Sequence, residues 1–189
     1  MNSPGKLVVV TGPSGVGKST VVREVLRRTG AEFSVSVTTR KPRPGETDGR
    51  DYRFVGRTAF ENMVKHGELL EWAEVFGELY GTPAGPVHEA IQAGKTIVLE
   101  IDVEGGIQVR DKMPDATYVL ICPPGDQVLA DRLTGRGSET PEKMRDRLAK
   151  AAQEMAAART SGVYNHEVIN DDLETAIQQV VAIMNQEHC

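Results

Sequence analysis

The apolar residues of this 189-residue chain include three continuous runs, each followed by a stretch with helical periodicity. The runs cover Lys6–Thr11, 96–101 and Thr117–Cys122. A continuous apolar run is typical of a strand that is buried on both faces of a parallel sheet. After the first run, residues 19–29 carry apolar side chains at helical spacing, and Gly30 follows as a helix stop. The pattern predicts repeated strand–helix units.

Right-handed crossovers fold such units into a doubly wound α/β sheet with helices on both faces. The binding crevice of such a sheet lies at the C-terminal ends of its strands. A last amphipathic helix is predicted over 171–186. The length suits one α/β core with an inserted lobe and is too short for two ordinary domains.

The segment 33–82 breaks the strand–helix rhythm, because it holds short β-rich pieces and one short helix candidate. Thr58 and Glu61 have the spacing of a capping box at the start of that helix. The loop 40–53 is rich in Arg, Pro and Gly, so it has no reason to be buried unless a ligand covers it. A second polar break, 134–141, separates two helical stretches and is a candidate lid. We predict a core of 1–32, 95–126 and 160–189, an inserted α+β lobe of 33–88, and a helical lid region of 127–159.

Composition and charge limit the possible partners. The net charge of −5 and the pI near 5.5 argue against a nucleic-acid surface, whose affinity comes from neutralising many phosphates. No apolar run is long enough to cross a membrane, and the N-terminus does not resemble a secretory signal. The two cysteines do not suggest a disulfide framework. We expect a cytoplasmic protein without nucleic-acid or membrane partners, and its oligomeric state, monomer or weak homo-oligomer, stays open.

A glycine-rich motif between the first strand and the first helix carries the clearest chemistry. Residues 12–19 (GPSGVGKS) match the GxxxxGK[ST] pattern of a phosphate-binding loop (P-loop). In such a loop, backbone N–H groups and a helix N-terminus converge on phosphate oxygens. Lys18 would reach the β and γ phosphates, and Ser19 would supply a hydroxyl to Mg²⁺. The expected nucleoside triphosphate site comprises Gly12, Pro13, Ser14, Gly15, Val16, Gly17, Lys18, Ser19 and Thr20.

The P-loop alone does not distinguish GTPases, ATPases and small-molecule kinases. Residues 102–105 (DVEG) have the spacing of the DxxG switch of GTPases. However, the chain contains no NKxD sequence, the element with which a GTPase holds its guanine. A GTPase is therefore a minor alternative.

The segment 36–54 (SVTTRKPRPGETDGRDYRF) resembles the guanylate kinase family, whose signature SxTTRxPRxGExxGxDYxF it matches. The resemblance continues through EW at 71–72, YGT at 80–82, EID at 100–102, 132–137 and NDDL at 170–173, and so covers nearly the whole chain. It implies a P-loop NTPase fold of the α/β class, with a doubly wound parallel sheet, an inserted GMP-binding lobe and a helical lid. The implied reaction is the Mg²⁺-dependent transfer of the γ-phosphoryl group of ATP to GMP.

The resemblance also implies how GMP is bound. Its phosphate would be held by guanidinium forks and tyrosine hydroxyls, which suit phosphate oxygens: Arg40, Arg43, Tyr52 and Tyr80. Its base would be read by carboxylates and hydroxyls, which complement the N1–H and N2–H₂ donors of guanine: Ser36, Glu71, Thr82 and Asp102. Adenine would set its N1 acceptor against a carboxylate. A solvated basic loop and structurally paired strand residues are the alternatives.

Three further arginines resemble the family's catalytic set. Arg132 and Arg136 are four residues apart and Arg147 falls on the next helix, so all three could converge on the transferring phosphoryl group. An exposed basic helix face is the alternative. With the residues already named, the implied catalytic set is Lys18, Arg40, Arg43, Arg132, Arg136 and Arg147.

The remaining expectations concern the metal and the adenine. No side chains show the spacing of a protein-held metal site, so Mg²⁺ should arrive with ATP. The family pattern puts Glu100 near the water shell of the metal that Ser19 binds, and Glu100 and Asp102 point to opposite faces if their strand stays regular. Asn170 matches a position near adenine, although an N-cap of the last helix explains it equally well.

Two rival functions remain. A guanylate-kinase-like interaction module usually has a degraded P-loop, whereas Gly17, Lys18 and Ser19 are intact here. A nucleoside monophosphate kinase with another acceptor would differ in acceptor preference.

Overall fold

Parallel strands form the central sheet of the computed structural model, which describes residues 5–134 and 141–186. In chain order the elements are β1 (Lys6–Thr11), α1 (Lys18–Thr29), β2 (Glu32–Phe33), β3 (Val37–Thr38), β4 (Arg53–Phe54), α2 (Arg57–Lys65), β5 (Leu69–Val75), β6 (Glu78–Pro83), α3 (Ala84–Gln92), β7 (Thr96–Glu100), α4 (Val103–Lys112), β8 (Thr117–Cys122), α5 (Asp126–Thr134), α6 (Pro141–Ser161), β9 (His166–Ile169) and α7 (Leu173–Met184). The central sheet has the order β2-β7-β1-β8-β9, and each neighbouring pair is parallel. The predicted α/β fold with a parallel sheet is confirmed.

The alternation of side chains along β1 divides the core into two layers. Val8 and Val10 point to one face, where they pack with apolar residues of α1 and α7. Leu7 and Val9 point to the other face, where they pack with residues of α3 and α4. Because both faces are covered, nearly every residue of β1 and β8 is buried, as their continuous apolar runs predicted.

The lobe is a second sheet with the order β4-β3-β6-β5, in which β5 and β6 form an antiparallel hairpin. Helix α2 covers this sheet, and its buried Phe60 packs with Val37, Leu69 and Leu79. A β-bulge at Leu70 shifts the register of the hairpin, so that Glu71 is paired with Thr82. The bulge leaves three successive residues of β5 buried, where a regular strand would alternate.

The predicted capping box at the start of α2 is wrong. The helix begins at Arg57 and its N-cap is Gly56, which makes no side-chain cap bond. Thr58 therefore lies inside the first turn. Glu61 accepts a hydrogen bond from Arg57 at 3.1 Å, so its carboxylate is turned to a neighbouring side chain and does not reach back to the helix end.

Other local predictions also need adjustment. Strands β6 and β9 were not predicted, and β2, which begins the segment read as the lobe, pairs with β7 in the central sheet. The last helix begins at Leu173, with Asp172 as its N-cap. The described helices include none that is long and apolar enough to cross a membrane. Arg136 and positions 135–140 of the candidate lid lie outside the described residues.

Candidate active site

The P-loop connects β1 to α1 at the C-terminal edge of the central sheet. Gly17 takes a left-handed backbone with φ of 97°, and a Cβ there would lie 2.6 Å from Nδ2 of Asn170. The same Nδ2 donates to the carbonyl of Val16 at 2.8 Å, and Asn170 is buried. The Asn170 side chain thus packs against the backbone of Val16 and Gly17 and holds this part of the P-loop in place. The N-cap alternative for Asn170 is wrong, because the carboxylate of Asp172 accepts the N–H of Thr175 and caps α7.

Two P-loop side chains turn to acceptors within the protein. Lys18 Nζ donates to the carbonyl oxygens of Gly12 and Pro13. Burial lowers the pKa of Lys18, although nearby carboxylates, Glu100 first among them, oppose that shift. Ser19 Oγ donates to the Glu100 carboxylate at the end of β7. The predicted metal pair, Ser19 and Glu100, is therefore in direct contact.

A cleft of about 260 Å³ lies between the P-loop and the lobe. Its walls carry the P-loop lysine, the predicted metal residue Glu100 and five of the eight residues predicted to bind GMP, namely Ser36, Tyr52, Glu71, Tyr80 and Asp102. Glu100 and Asp102 line the same cleft, because the regular strand that would have turned them to opposite faces does not reach Asp102. Strand β7 ends at Glu100, and Asp102 is already the N-cap of α4.

The buried carboxylate of Glu71 is the main polar group on the lobe side. Glu71 is 7% exposed, and Oγ1 of the fully buried Thr82 donates to its Oε1 at 2.6 Å. Burial raises the pKa of Glu71 to about 7, with Asp102 adding to the rise and Thr82 and Lys112 opposing it. Asp102 Oδ1 accepts the N–H of Gly105 at 2.8 Å, so the DVEG sequence forms a helix cap here.

Arg40 lies beside the cleft in a fixed orientation. Its terminal nitrogens form a bidentate pair with Glu46, at 3.0 Å from Nη1 and 2.9 Å from Nη2. The guanidinium lies over the ring of Tyr52, 5.4 Å from its centroid, and hydrogen bonds to Glu46 and Tyr80 raise its pKa. Arg40 Nε is buried with no hydrogen-bond partner among the described residues. The terminal nitrogens of the guanidinium are thus occupied, chiefly by Glu46, and Nε is the donor that the described residues leave without a partner.

Glu46 has a structural role that sequence reasoning missed. Its Oε2 also accepts the backbone N–H of Arg43 at 2.7 Å, so this one carboxylate holds the Arg40 side chain and the Arg43 backbone. The Arg43 side chain is exposed and does not line the cleft. The only feature of the sequence that could have indicated this role is the position of Glu46 inside the matched signature.

Two of the three predicted catalytic lid arginines belong to helices that contact the P-loop. Arg147 Nη2 of α6 donates to Ser14 Oγ at 3.0 Å. Arg132 lies on α5 next to Leu133, which packs against Gly15, and its Nη1 is buried without a partner in the described part of the chain. Arg136, the third, lies outside the described residues. The structure thus places Arg147 on the loop and Arg132 nearby.

A second contact between α6 and the P-loop was also missed. The carboxylate of Glu154 accepts the backbone N–H of Ser14, and burial raises its pKa. No local pattern marks Glu154, because it lies 140 residues from the loop it contacts.

Comparisons with known proteins agree with these features. A family model described as guanylate kinase matches residues 4–187. A guanylate kinase of Nocardia farcinica is 52% identical over 182 residues, which cover 95% of this chain and 93% of the relative. One of Gloeobacter violaceus is 48% identical over 183 residues, which cover 96% of this chain and 88% of the relative.

Solved structures give the same picture. The crystal structure of guanylate kinase from Anaplasma phagocytophilum superposes with a TM-score of 0.77 at 32% identity, covering 97% of this chain and 86% of that one. A gluconokinase from Sinorhizobium meliloti, at 17% identity and a TM-score of 0.53, shares the fold alone. Because the family model spans almost the whole chain and relatives are about half identical to it, this protein belongs to the guanylate kinase family.

Proposed function

We propose that this chain transfers the γ-phosphoryl group of ATP to GMP, giving ADP and GDP. The observation that carries the proposal is the cleft in which Lys18 of the P-loop and the buried Glu71 face the same space. One wall suits a triphosphate and the other suits a purine with hydrogen-bond donors.

Guanine selection depends on the ionised form of Glu71. Guanine presents N1–H and N2–H₂ donors, and a carboxylate offers acceptors to both. Thr82 donates to one oxygen of Glu71, which fixes the carboxylate in orientation and leaves its other oxygen available. Ser36 and Asp102 add polar groups on the same walls. An adenine in this position would set its N1 acceptor against the buried Glu71 carboxylate. A mismatch of this kind discriminates strongly between GMP and AMP.

The phosphate of GMP would bind Arg40 through its unpartnered Nε. Glu46 takes the end-on fork of the guanidinium, so among the described residues Nε is left to donate to a phosphate oxygen. Tyr52 and Tyr80 line the cleft beside it and can donate their hydroxyls. This arrangement would place the acceptor phosphate between Arg40 and the P-loop.

ATP phosphates would bind to the P-loop. The loop leads into the N-terminus of α1, whose free backbone N–H groups suit an anion. Lys18 would exchange two loop carbonyls for phosphate oxygens. Ser19 and Glu100 are hard oxygen donors in contact, which fits Mg²⁺, an ion that uses few protein ligands and keeps substrate phosphates and waters. Bound there, Mg²⁺ would supply charge neutralisation on the phosphates.

In phosphoryl transfer the protein mainly positions the two substrates and supplies positive charge, and it does little covalent chemistry. Arg147 reaches the P-loop at Ser14, and Nη1 of Arg132 is buried without a partner among the described residues, so both can neutralise charge on the transferring group. No side chain is assigned as a general base. Cytoplasmic location and oligomeric state stay predictions from the sequence.

The test is ADP production from Mg·ATP with GMP, AMP, CMP, UMP or no acceptor. We expect strong turnover with GMP and near-background rates with the others. ATP loss without an acceptor would favour a hydrolase, and preference for another nucleotide would refute the guanine argument. No turnover with any acceptor would favour the interaction module.

A further inference from the structure

The outer edge of strand β5 faces helix α4 of the core, because β5 lies at the end of the lobe sheet. An edge strand leaves backbone N–H and C=O groups without strand partners. Here two side chains of α4 supply the partners. Gln108 accepts the N–H of Trp72 and donates to its carbonyl, both at 3.3 Å, and Lys112 Nζ donates to the carbonyl of Leu69 at 2.7 Å.

These bonds lie on both sides of Glu71 in the strand. Gln108 and Lys112 are four residues apart on α4, and the N-terminus of the same helix lines the cleft through Asp102. Gly105, in the first turn of α4, is so close that a Cβ there would lie 3.1 Å from Glu71 Oε2. The helix that forms one wall of the cleft thus also holds the backbone that carries the carboxylate.

The bulge in β5 also turns an apolar side chain, Leu70, into the core next to Glu71. Leu69 packs in the lobe cluster, whereas the next residue, Leu70, is 2% exposed and packs in the core cluster with Val9 and Leu99. Glu71 follows and enters the cleft. The position of this carboxylate relative to the P-loop is therefore determined by contacts between β5 and the core.

We propose that Gln108 and Lys112 are positioning residues for guanine recognition, which hold Glu71 in the cleft by fixing β5 to α4. The proposal rests on the proposed function, because Glu71 reads guanine only if GMP is the acceptor. Lys112 has a second effect through its charge. Burial and Asp102 raise the pKa of Glu71, whereas Thr82 on β6 and Lys112 lower it, and the other titratable groups on the cleft walls are Lys18, Tyr52, Tyr80 and Glu100.

The experiment compares Lys112→Met and Gln108→Leu with the wild type. We measure kcat/KM for GMP across pH 5.5 to 9, and KM for ATP at saturating GMP. Each variant should raise KM for GMP by about tenfold, the typical effect of losing one or two such hydrogen bonds, and leave KM for ATP unchanged. Only Lys112→Met should also move the acid limb of kcat/KM to higher pH, because it removes a charge that favours ionised Glu71.

Matched variants make the result specific. Lys112→Arg should restore both KM and the pH profile. Lys95→Met removes an equal charge from a surface pair with Glu32 and should change neither. The ionisation of GMP itself is common to all variants, so a difference between them reports on the protein. If Lys112→Met does not fold, Lys112→Gln keeps a donor for the Leu69 carbonyl while removing the charge, and should shift the acid limb alone.

The proposal is overturned if KM for GMP stays within twofold of the wild type in both variants. It is also overturned if KM for ATP rises in parallel, or if the acid limb does not move in Lys112→Met or Lys112→Gln. A wild type that makes no ADP in response to GMP refutes the proposed function and this inference with it. If the wild type is active with GMP and the variants do not behave as stated, only this inference fails and the proposed function stands.

Discussion

Replacing Glu71 by Gln should stabilise the free protein and weaken its use of GMP at the same time. Glu71 is buried, and burial raises its pKa from 4.5 to about 7. A shift of that size corresponds to about 3 kcal/mol of preference for the neutral form in the folded state. Glutamine is neutral at every pH and can still accept the hydroxyl of Thr82, so it avoids this cost.

The sign of the pH dependence follows from the raised pKa. Below pH 4.5 Glu71 is protonated in both the folded and the unfolded states, so the variant and the wild type should differ little. Between pH 4.5 and 7 the folded state holds its proton more tightly, and wild-type stability falls as pH rises. Above pH 7 the full difference of about 3 kcal/mol favours Glu71→Gln, which predicts a melting temperature higher by several degrees.

Activity should change in the opposite direction. The amide of Gln would set an N–H donor against the N1–H or N2–H₂ of guanine, in place of a charge-assisted hydrogen bond. Such a change costs about 3 to 5 kcal/mol, or about 10² to 10⁴ in kcat/KM for GMP. Adenine N1 can accept from the same amide, so the preference for GMP over AMP should shrink.

The assays are thermal unfolding at pH 4.5 and pH 8, and ADP production with GMP and AMP. Thr82→Val is a useful companion, because it removes the hydroxyl contact and leaves the carboxylate charge. A Glu71→Gln protein that melts below the wild type at pH 8 would refute the burial argument. An unchanged GMP preference would refute the role of Glu71 in reading the base.

Three further predictions concern the P-loop, the arginine loop and a helix cap. Lys18→Met should lower kcat by about 10³-fold or more in the ADP assay, because it removes the ammonium charge that stabilises the transferring phosphoryl group. Glu46→Gln should raise KM for GMP about tenfold without changing KM for ATP, because Arg40 loses its bidentate partner, whereas Glu61→Gln on α2 should change neither. Asp172→Ala should leave kinetics unchanged and lower the melting temperature by a few degrees, because it removes the N-cap of α7; since hydrogen bonds lower the pKa of Asp172, this difference should disappear as pH falls through that lowered pKa.

The core could be predicted from sequence because burial on both faces leaves a direct pattern. Strands β1 and β8 are continuous apolar runs, and α1 ends at Gly30 in a left-handed conformation, as helix stops commonly do. Strand β9 has no such pattern, since only Val168 among its four residues is buried. Strand β6 contains Gly81 and Pro83, residues that normally argue against a strand.

The candidate site was predictable only in part, for a similar reason. The P-loop is contiguous in sequence, so its composition and context identify it. Glu71 and Asp102 line one cleft only because the lobe packs on α4. The hydrophobic pattern does not predict that packing, and the family resemblance was the reason to place both residues at the GMP site. The pairing of Arg40 with Glu46 is a polar contact within a loop, and Glu154 contacts the backbone of Ser14 from a distant helix; the periodicity of apolar residues reports neither.

The bulge at Leu70 makes the β5–β6 hairpin sensitive to the parity of its length. Because side chains alternate along a strand, one residue inserted or deleted between Trp72 and Val75, with the pairing to β6 at the tip kept, would exchange the faces of the β5 residues before the change. The carboxylate would then turn outward, and the ring of Trp72, now 42% exposed, would turn into the cleft. Extra residues at the tip, beside the fully exposed Phe76, would leave the pairing intact. The length of β5 between Glu71 and the tip is therefore a constraint on the cleft, whereas the length of the turn is not.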